Sequence, residues 1–299
     1  MINPEEITNI QFGVSLSNQS EFRFVPVDVN VQGTLKEILI STQNRVNAGI
    51  VGLREYEPSE KYATRETLYI SLLDEHLEYL QNLYANTSIP VNSQPIENYI
   101  SQIDFYFVFY TLRNNAKILG VKRSTQFKSL LKSRMIRLID DTLKNVEDTI
   151  LKLDDEFDYY VYNDNVYINL PTGFQYTTQI EEFVQERAFE ATNNLVVRVP
   201  FIKFTSLASF VKDSKTCAKL IASIKKRTDL EQIDRKKLIA FCKKLKIQIK
   251  INDDDSIEPE FEDKYQDFLM VLDRRLFEYN LISNIRELYE APSRIQKPN

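Results

Sequence analysis

At 299 residues the chain can bury one large core or two lobes of ordinary size, and its 43% hydrophobic and 27% charged residues exclude the disordered and fibrous classes. No run approaches the roughly 18 apolar residues of a membrane span, and residues 1–10, with Pro4, Glu5 and Glu6, lack the basic and apolar regions of a signal peptide, so a cytoplasmic chain is expected. The formal net charge of −5 hides a segregation, because residues 203–250 hold fourteen Lys/Arg against four acids, and 111–139 hold eight Lys/Arg with no acid. A polyanion-binding surface needs such a distribution, and so does a basic face that neutralises an acidic surface of the same chain.

In chain order, residues 10–16 and 22–31 alternate in part and read as two strands, and Pro26 puts the second on a sheet edge or at a bulge. Thr34 and Glu37 then make a capping box, Leu35, Ile38, Leu39 and Val46 an apolar stripe, and Gly49 a stop, which predicts a helix over 34–49. Leu72, Leu73, Leu77, Leu80 and Leu83 predict a second helix over 68–84, with the lone histidine, His76, inside it. Pro90 and Pro95, with Asn92 and Ser93 between them, mark the clearest loop. Beyond it, Asn114-Asn115 joins strands over 103–112 and 116–122, and Asn163-Asp164-Asn165 joins strands over 157–162 and 166–170. Between these hairpins, Phe127, Leu130, Leu131, Met135, Leu138 and Ile139 favour a helix within 125–153, with a strand over 135–139 as the alternative.

From residue 176 the pattern is helical, over 178–192, 206–212 and 214–226. In the last of these Cys217, Leu220, Ile221 and Ile224 fall in one arc, with Lys215, Lys219 and Lys226 opposite. The next helix, capped by Asp234, repeats the design with Leu238, Cys242 and Leu245 inward and Lys236 and Lys243 outward. Strands over 246–251 and 257–261, a helix over 263–273 and strands near 275–280 and 286–290 complete the chain, and Asp273, Arg274 and Arg275 are expected to make a structural corner where that helix ends. The fold class is therefore α+β, with a mixed sheet and hairpin core in the N-terminal and central parts and a helical, Lys-rich C-terminal part. An N-terminal α/β part would occupy 1–94.

The search for catalytic residues yields none. One histidine cannot build a conventional zinc site or triad, Cys217 and Cys242 form no C-x-x-C, and the glycine-rich phosphate motifs and G-x-S-x-G are missing. Asn252–Asp255 lacks the glycine and distant glutamate of a calcium loop and reads as a solvated turn. Asp154, Asp155, Glu156 and Asp158, or Glu262 and Asp263 beside Lys264, leave magnesium-nuclease chemistry as an alternative, although neither group has a specific spacing. No catalytic residue, metal ligand or cofactor is assigned, and a binding protein is expected before an enzyme. The candidate DNA contacts are Lys215, Lys219, Lys226, Lys236, Lys237, Lys243 and Lys244 on two successive helices, and Arg113, Lys117, Lys122 and Arg123 on the first hairpin.

Several features recur in an order that points further. They are Leu153-Asp-Asp-Glu-Phe-Asp158, the hairpin over 163–168, the turn Pro200-Phe201-Ile202, then Leu272-Asp273-Arg274-Arg275, Tyr279 and Leu281, and finally Glu287-Leu-Tyr-Glu-Ala-Pro-Ser-Arg294. Together they resemble the bacterial KwaB family of the two-gene Kiwa anti-phage system, over about residues 100–295. The resemblance implies a KwaB-like region over 95–299, with a β-hairpin centre at 95–175 and a mostly helical part at 176–299. It implies a cytoplasmic protein that binds DNA without strong sequence preference, beside a small membrane partner of KwaA type, and so blocks phage replication or late transcription; the leading expectation is that such a DNA-binding protein is a homodimer. It carries no catalytic motif across. The alternatives are a metal-dependent nuclease in the same setting and a scaffold whose basic faces dock an acidic protein.

Overall fold

Residues 103–112, Ile-Asp-Phe-Tyr-Phe-Val-Phe-Tyr-Thr-Leu, carry large apolar side chains at both parities, which suits a strand covered on both faces. In the computed structural model they form an interior strand of the main sheet. The structure describes residues 3–16, 19–48, 53–62, 66–85, 99, 102–124, 136–139, 142–145, 152–203, 205–279 and 287–291. Two units emerge, one of residues 1–56 and 63–179 and the other of 57–62 and 180–299.

The first unit contains strands β1 (Ile7–Leu16) and β2 (Gln19–Val25), helix α1 (Val29–Asn47), strands β3 (Arg54–Glu55) and β4 (Leu68–Ser71), and helix α2 (Glu78–Ala85). It continues with β5 (Ile103–Leu112), β6 (Lys117–Arg123), the pair β7 (Ile136–Ile139) and β8 (Thr142–Asn145), then β9 (Tyr159–Tyr162), β10 (Asn165–Ile168) and helix α3 (Pro171–Thr178). Eight strands join in the order β2-β1-β5-β6-β9-β10-β4-β3, all antiparallel except β3 with β4. Strands from both sides of the Pro90–Pro95 segment therefore share one sheet, while that segment itself lies outside the described residues. Tyr106, Val108 and Tyr110 join Phe12 and Val14 under Leu35, Ile38 and Leu39 of α1, and the Tyr110 hydroxyl donates to the Leu35 carbonyl at 2.6 Å. On the other face Phe107 and Phe109 pack edge-on against Phe22 and Phe24, and Phe105 packs tilted against Phe22.

Phe157-Asp158 leads into β9, and each of these side chains lies on a glycine. The Phe157 ring covers Gly120 of β6, and the Asp158 carboxylate covers Gly173 in the first turn of α3, so a Cβ at either glycine would overlap its neighbour. Asp158 is only 1% exposed. Its Oδ1 accepts from Lys122 Nζ at 2.7 Å and its Oδ2 from the Arg123 backbone N–H at 2.9 Å, while its carbonyl accepts from the N–H groups of Asn169 and Leu170. Burial raises its carboxyl pKa above the ordinary range, against the opposing pull of the Lys122 charge and these hydrogen bonds.

The second unit is mostly helical. Helix α4 (Ile180–Arg198) buries Val184, Ala188, Ala191 and Leu195 against α5 (Thr205–Asp213) and α6 (Lys215–Lys225). Helix α7 (Arg235–Lys244) starts where the Asp234 carboxylate accepts from the Lys237 N–H at 2.8 Å. A hairpin of β11 (Ile249–Ile251) and β12 (Ile257–Pro259), helix α8 (Tyr265–Leu272), and the antiparallel pair β13 (Leu276–Tyr279) and β14 (Glu287–Glu290) follow. Cys217 and Cys242 are both free and buried, and burial pushes the Cys242 thiol up to about 12.

Helix α8 ends in a corner built by three consecutive residues. The N–H groups of Arg274 and Arg275 donate back to the carbonyls of Val271 and Met270, with Arg274 left-handed at φ 59°. Asp273 and Arg275 are buried, with Arg275 Nε 2.7 Å from Asp273 Oδ2, a charge contact off the line of a hydrogen bond. Both terminal nitrogens of Arg275 donate to Ser59 at 2.6 Å, and Ser223 donates to the other Asp273 oxygen at 3.1 Å. Arg274 points outward and pairs with Asp229.

Several expectations need correction. Helix α1 begins at Val29, capped by Asp28 through the Val31 N–H at 2.8 Å, so Thr34 lies inside the helix and β2 stops before Pro26. Residues 68–71 are a strand rather than the start of a helix, because Leu68 and Ile70 alternate inward beside β10, and His76 sits in the turn before α2, bonded to Asp74 at 2.8 Å. Within 125–153 the helix reading gives way to the strand alternative at 136–139, where β7 pairs with β8; 125–135 and 146–151 lie outside the described residues, as do Gly49 and 292–299. Helix α3 went unpredicted, since its signal is one proline at the first position rather than an apolar stripe.

Two substitutions test this packing. Gly173→Ala should lower stability by about 1–3 kcal/mol, although in an open helix the same change raises it by about 1 kcal/mol; urea unfolding reads the sign. Arg275→Ala leaves Asp273 buried without its cation and should cost about 3–5 kcal/mol, whereas Arg274→Ala, on the surface, should stay within about 1 kcal/mol.

Candidate nucleic-acid interface

The basic residues divide by what surrounds them. On α6, Lys215 lies 3.3 Å from Glu182, Lys219 pairs with Glu181, and Lys226 at its end lies 3.4 Å from Glu57. Two of these carboxylates come from the first turn of α4, where acidic residues also suit the helix dipole. The lysine face of α6 is thus largely matched by acids of its own unit. The exposed Lys215–Glu182 pair contributes little stability, about 0–1 kcal/mol, but all three pairs cancel the local charge.

On the first hairpin the four candidates separate in the same way. Lys122 is committed to the buried Asp158, and the Arg123 guanidinium lies 3.6 Å over the Tyr176 ring. Arg113, at the turn, is exposed, and Lys117 is half-buried with its carbonyl accepting from the Tyr84 hydroxyl at 3.0 Å.

Helix α7 is different. Leu238 and Cys242 turn inward, and Leu245 follows them, while Lys236, Lys237, Lys243 and Lys244 are all exposed, with Lys246 just beyond the helix end. Among the described residues no carboxylate pairs with Lys236, Lys237, Lys243 or Lys246, whereas Arg235, on the same helix, reaches Asp255 at 3.5 Å. Helical spacing places Lys236 and Lys243 along one flank and Lys237 and Lys244 along the other. The second flank also carries Phe241, 39% exposed, which the apolar pattern of the sequence did not single out. Beside it runs a cleft of about 250 Å³ reaching to Leu272 and Arg274 at the α8 corner; the first flank borders a second groove of about 350 Å³ along β11. The arrangement offers a row of mobile ammonium groups on a firm apolar base, which can neutralise a line of phosphates without reading base edges.

Among the described residues no three His, Cys, Asp or Glu side chains are grouped to hold a metal ion, and no helix is long and apolar enough to cross a membrane. In comparisons with known proteins, a family model described as "Kiwa protein KwaB-like" matches residues 100–280. No curated protein and no solved structure matches the chain. The matched span runs from β5 through Asp158 and its glycines to the β13 strand, so it takes in both the sheet interior and the lysine helices.

The two kinds of lysine should differ in stability measurements. Lys122→Ala leaves Asp158 buried without its cation and is expected to cost about 3–5 kcal/mol. Reversing Lys236, Lys237, Lys243 and Lys244 together to Glu should shift stability by no more than about 2 kcal/mol, since each lies on the surface. Thermal melts of the two variants side by side give the comparison.

Proposed function

The chain belongs to the KwaB-like family of Kiwa proteins, which places it in anti-phage defence, and we propose that it acts there by binding DNA without sequence preference through the lysine face of α7. The observation that carries this reading is the exposure of Lys236, Lys237 and Lys243 on α7 with no carboxylate partner among the described residues, set against the paired lysines of α6. A chain of net charge −5 repels a polyanion over most of its surface, so a local cationic face decides where contact is made. Lys215, Lys219 and Lys226 would contribute only by exchanging a glutamate for a phosphate, a near-neutral swap. Lys122 and Arg123 serve the sheet. Arg113 and Lys117 remain as a secondary contact on the hairpin.

Binding of this kind along phage DNA would obstruct the enzymes of replication or transcription without any bond being cut. The resemblance read from the sequence also implies a small membrane partner of KwaA type, and that partner and a homodimer are both part of the proposal. Two copies of a short lysine row on one duplex would raise the effective affinity well above that of either alone.

Fluorescence anisotropy with a labelled duplex should give micromolar or tighter binding at about 50 mM salt, with a log–log salt slope near −4 for about four phosphates per face. The fourfold Glu variant of Lys236, Lys237, Lys243 and Lys244 should lose binding, while a Lys215, Lys219 double Glu variant keeps most of it. Absence of binding at low salt, or binding that survives the α7 reversal, would overturn the proposal. Nicking of plasmid in magnesium would move it to the nuclease alternative.

A further inference from the structure

Phe241 stands out among the side chains of α7 because it is exposed and aromatic on a helix otherwise lined outward by lysine and alanine. It lies one turn after Lys237 and three residues before Lys244, so all three share one flank of the helix. It lines the cleft of about 250 Å³ together with Val271, Leu272 and Arg274 at the end of α8. That volume falls below the roughly 300–1,000 Å³ of pockets that enclose a whole small molecule. It admits a single flat ring system with the remainder of its carrier left outside.

The charges around the cleft are arranged to suit such a carrier. Lys237 and Arg274 both line it, and Arg274 is 63% exposed, so its guanidinium is accessible although Asp229 already touches it. The two carboxylates nearby are engaged, Asp229 with Arg227 and Arg274, and Asp234 with the backbone N–H of Lys237. Burial by itself would raise the Asp229 carboxyl, but the Arg227 hydrogen bond and the charges of Arg227 and Arg274 together outweigh it and hold the carboxyl below its ordinary pKa. An aromatic side chain with cations lining the same cleft can hold an unstacked base while the cations meet its neighbouring phosphates.

Resting on the DNA-binding reading above, we infer that this cleft is a site for an unpaired nucleobase, with Phe241 as stacking platform and Lys237 on an adjoining phosphate, while Arg274 chiefly offsets the charge of Asp229 beside the strand. The protein therefore prefers single-stranded or frayed DNA to intact duplex. In duplex every base is already stacked and its face hidden, so α7 can offer duplex only its lysines. A single strand presents the same phosphates together with free base faces, and each base stacked on an aromatic side chain contributes about 1–3 kcal/mol.

The test uses the full chain with a labelled oligothymidine and a duplex of equal length. The wild-type chain is expected to bind the single strand about tenfold more tightly than the duplex. Phe241→Ala should remove that difference while leaving duplex affinity within about twofold and the melting temperature unchanged. Because the chain has no tryptophan, Phe241→Trp creates a single reporter, and its fluorescence should be quenched on titration with the single strand and not with the duplex. Arg274→Gly, which suits the left-handed φ of 59° and so protects the fold, should weaken single-strand binding several-fold. Equal affinities for both DNAs, unaltered by Phe241→Ala, or an unquenched Trp at saturation would overturn the inference and leave the DNA-binding reading standing. No binding of either DNA would remove that reading and this inference together.

Discussion

The carboxylate of Asp158 is the constraint around which the sheet unit is arranged. It is almost wholly buried, it holds the Lys122 ammonium at 2.7 Å, and it receives the Arg123 N–H, so it fixes the end of β6 against the start of β9. Its backbone carbonyl closes the turn where β10 passes into α3. Gly173 exists where it does because the carboxylate occupies the space of a side chain, just as Gly120 makes room for the ring of Phe157. A buried ion pair of this sort adds little net stability over an apolar replacement, but losing one partner is expensive, so the arrangement constrains sequence more than it strengthens the fold. The acidic run over 154–158, open at first to a catalytic reading, owes at least its last member to this structural role.

Charge is handled differently in the helical unit. There the arginines are the structural cations. Arg275 is buried against Asp273 and Ser59, and Arg227 against Asp229 and the Leu272 carbonyl, whereas most of the lysines lie at the surface. The planar guanidinium satisfies several fixed acceptors at once, while an ammonium on a flexible stem suits contact with a ligand whose position varies. The lysines then divide again, between α6, where glutamates of the same unit meet them, and α7, where no carboxylate among the described residues pairs with Lys236, Lys237 or Lys243. The uneven charge of the sequence thus has both of its candidate explanations at once, each on its own helix.

Much of this architecture could be read from residue patterns. The α+β class, both hairpins, the inward arcs of α6 and α7 and the corner after α8 follow from apolar periodicity, paired turn residues and capping side chains, all of which act within a few residues of sequence. The misreadings arose where a distant partner decides. Leu68 and Ile70 belong to a strand because β10 lies beside them, and Ile136–Ile139 pairs with β8 although its composition equally suits a helix. Ion pairing is likewise invisible in one dimension. Nothing around Lys122 hints that Asp158, 36 positions later, neutralises it, and nothing around Lys219 points to Glu181. Phe241 escaped notice because one aromatic residue in a helix is ordinarily core, and only its 39% exposure sets it apart.

The central claim is that α7, and not α6 or the hairpin, presents the cations that meet DNA. Lysine acylation mapped by mass spectrometry, with and without saturating DNA at low salt, addresses each side chain separately and leaves the sequence unaltered. The account predicts that DNA shields Lys236, Lys237 and Lys243 strongly, while Lys215 and Lys226 keep their own reactivity. Shielding concentrated on Lys215, Lys219 and Lys226, or on Lys117, with α7 unaffected, would contradict it.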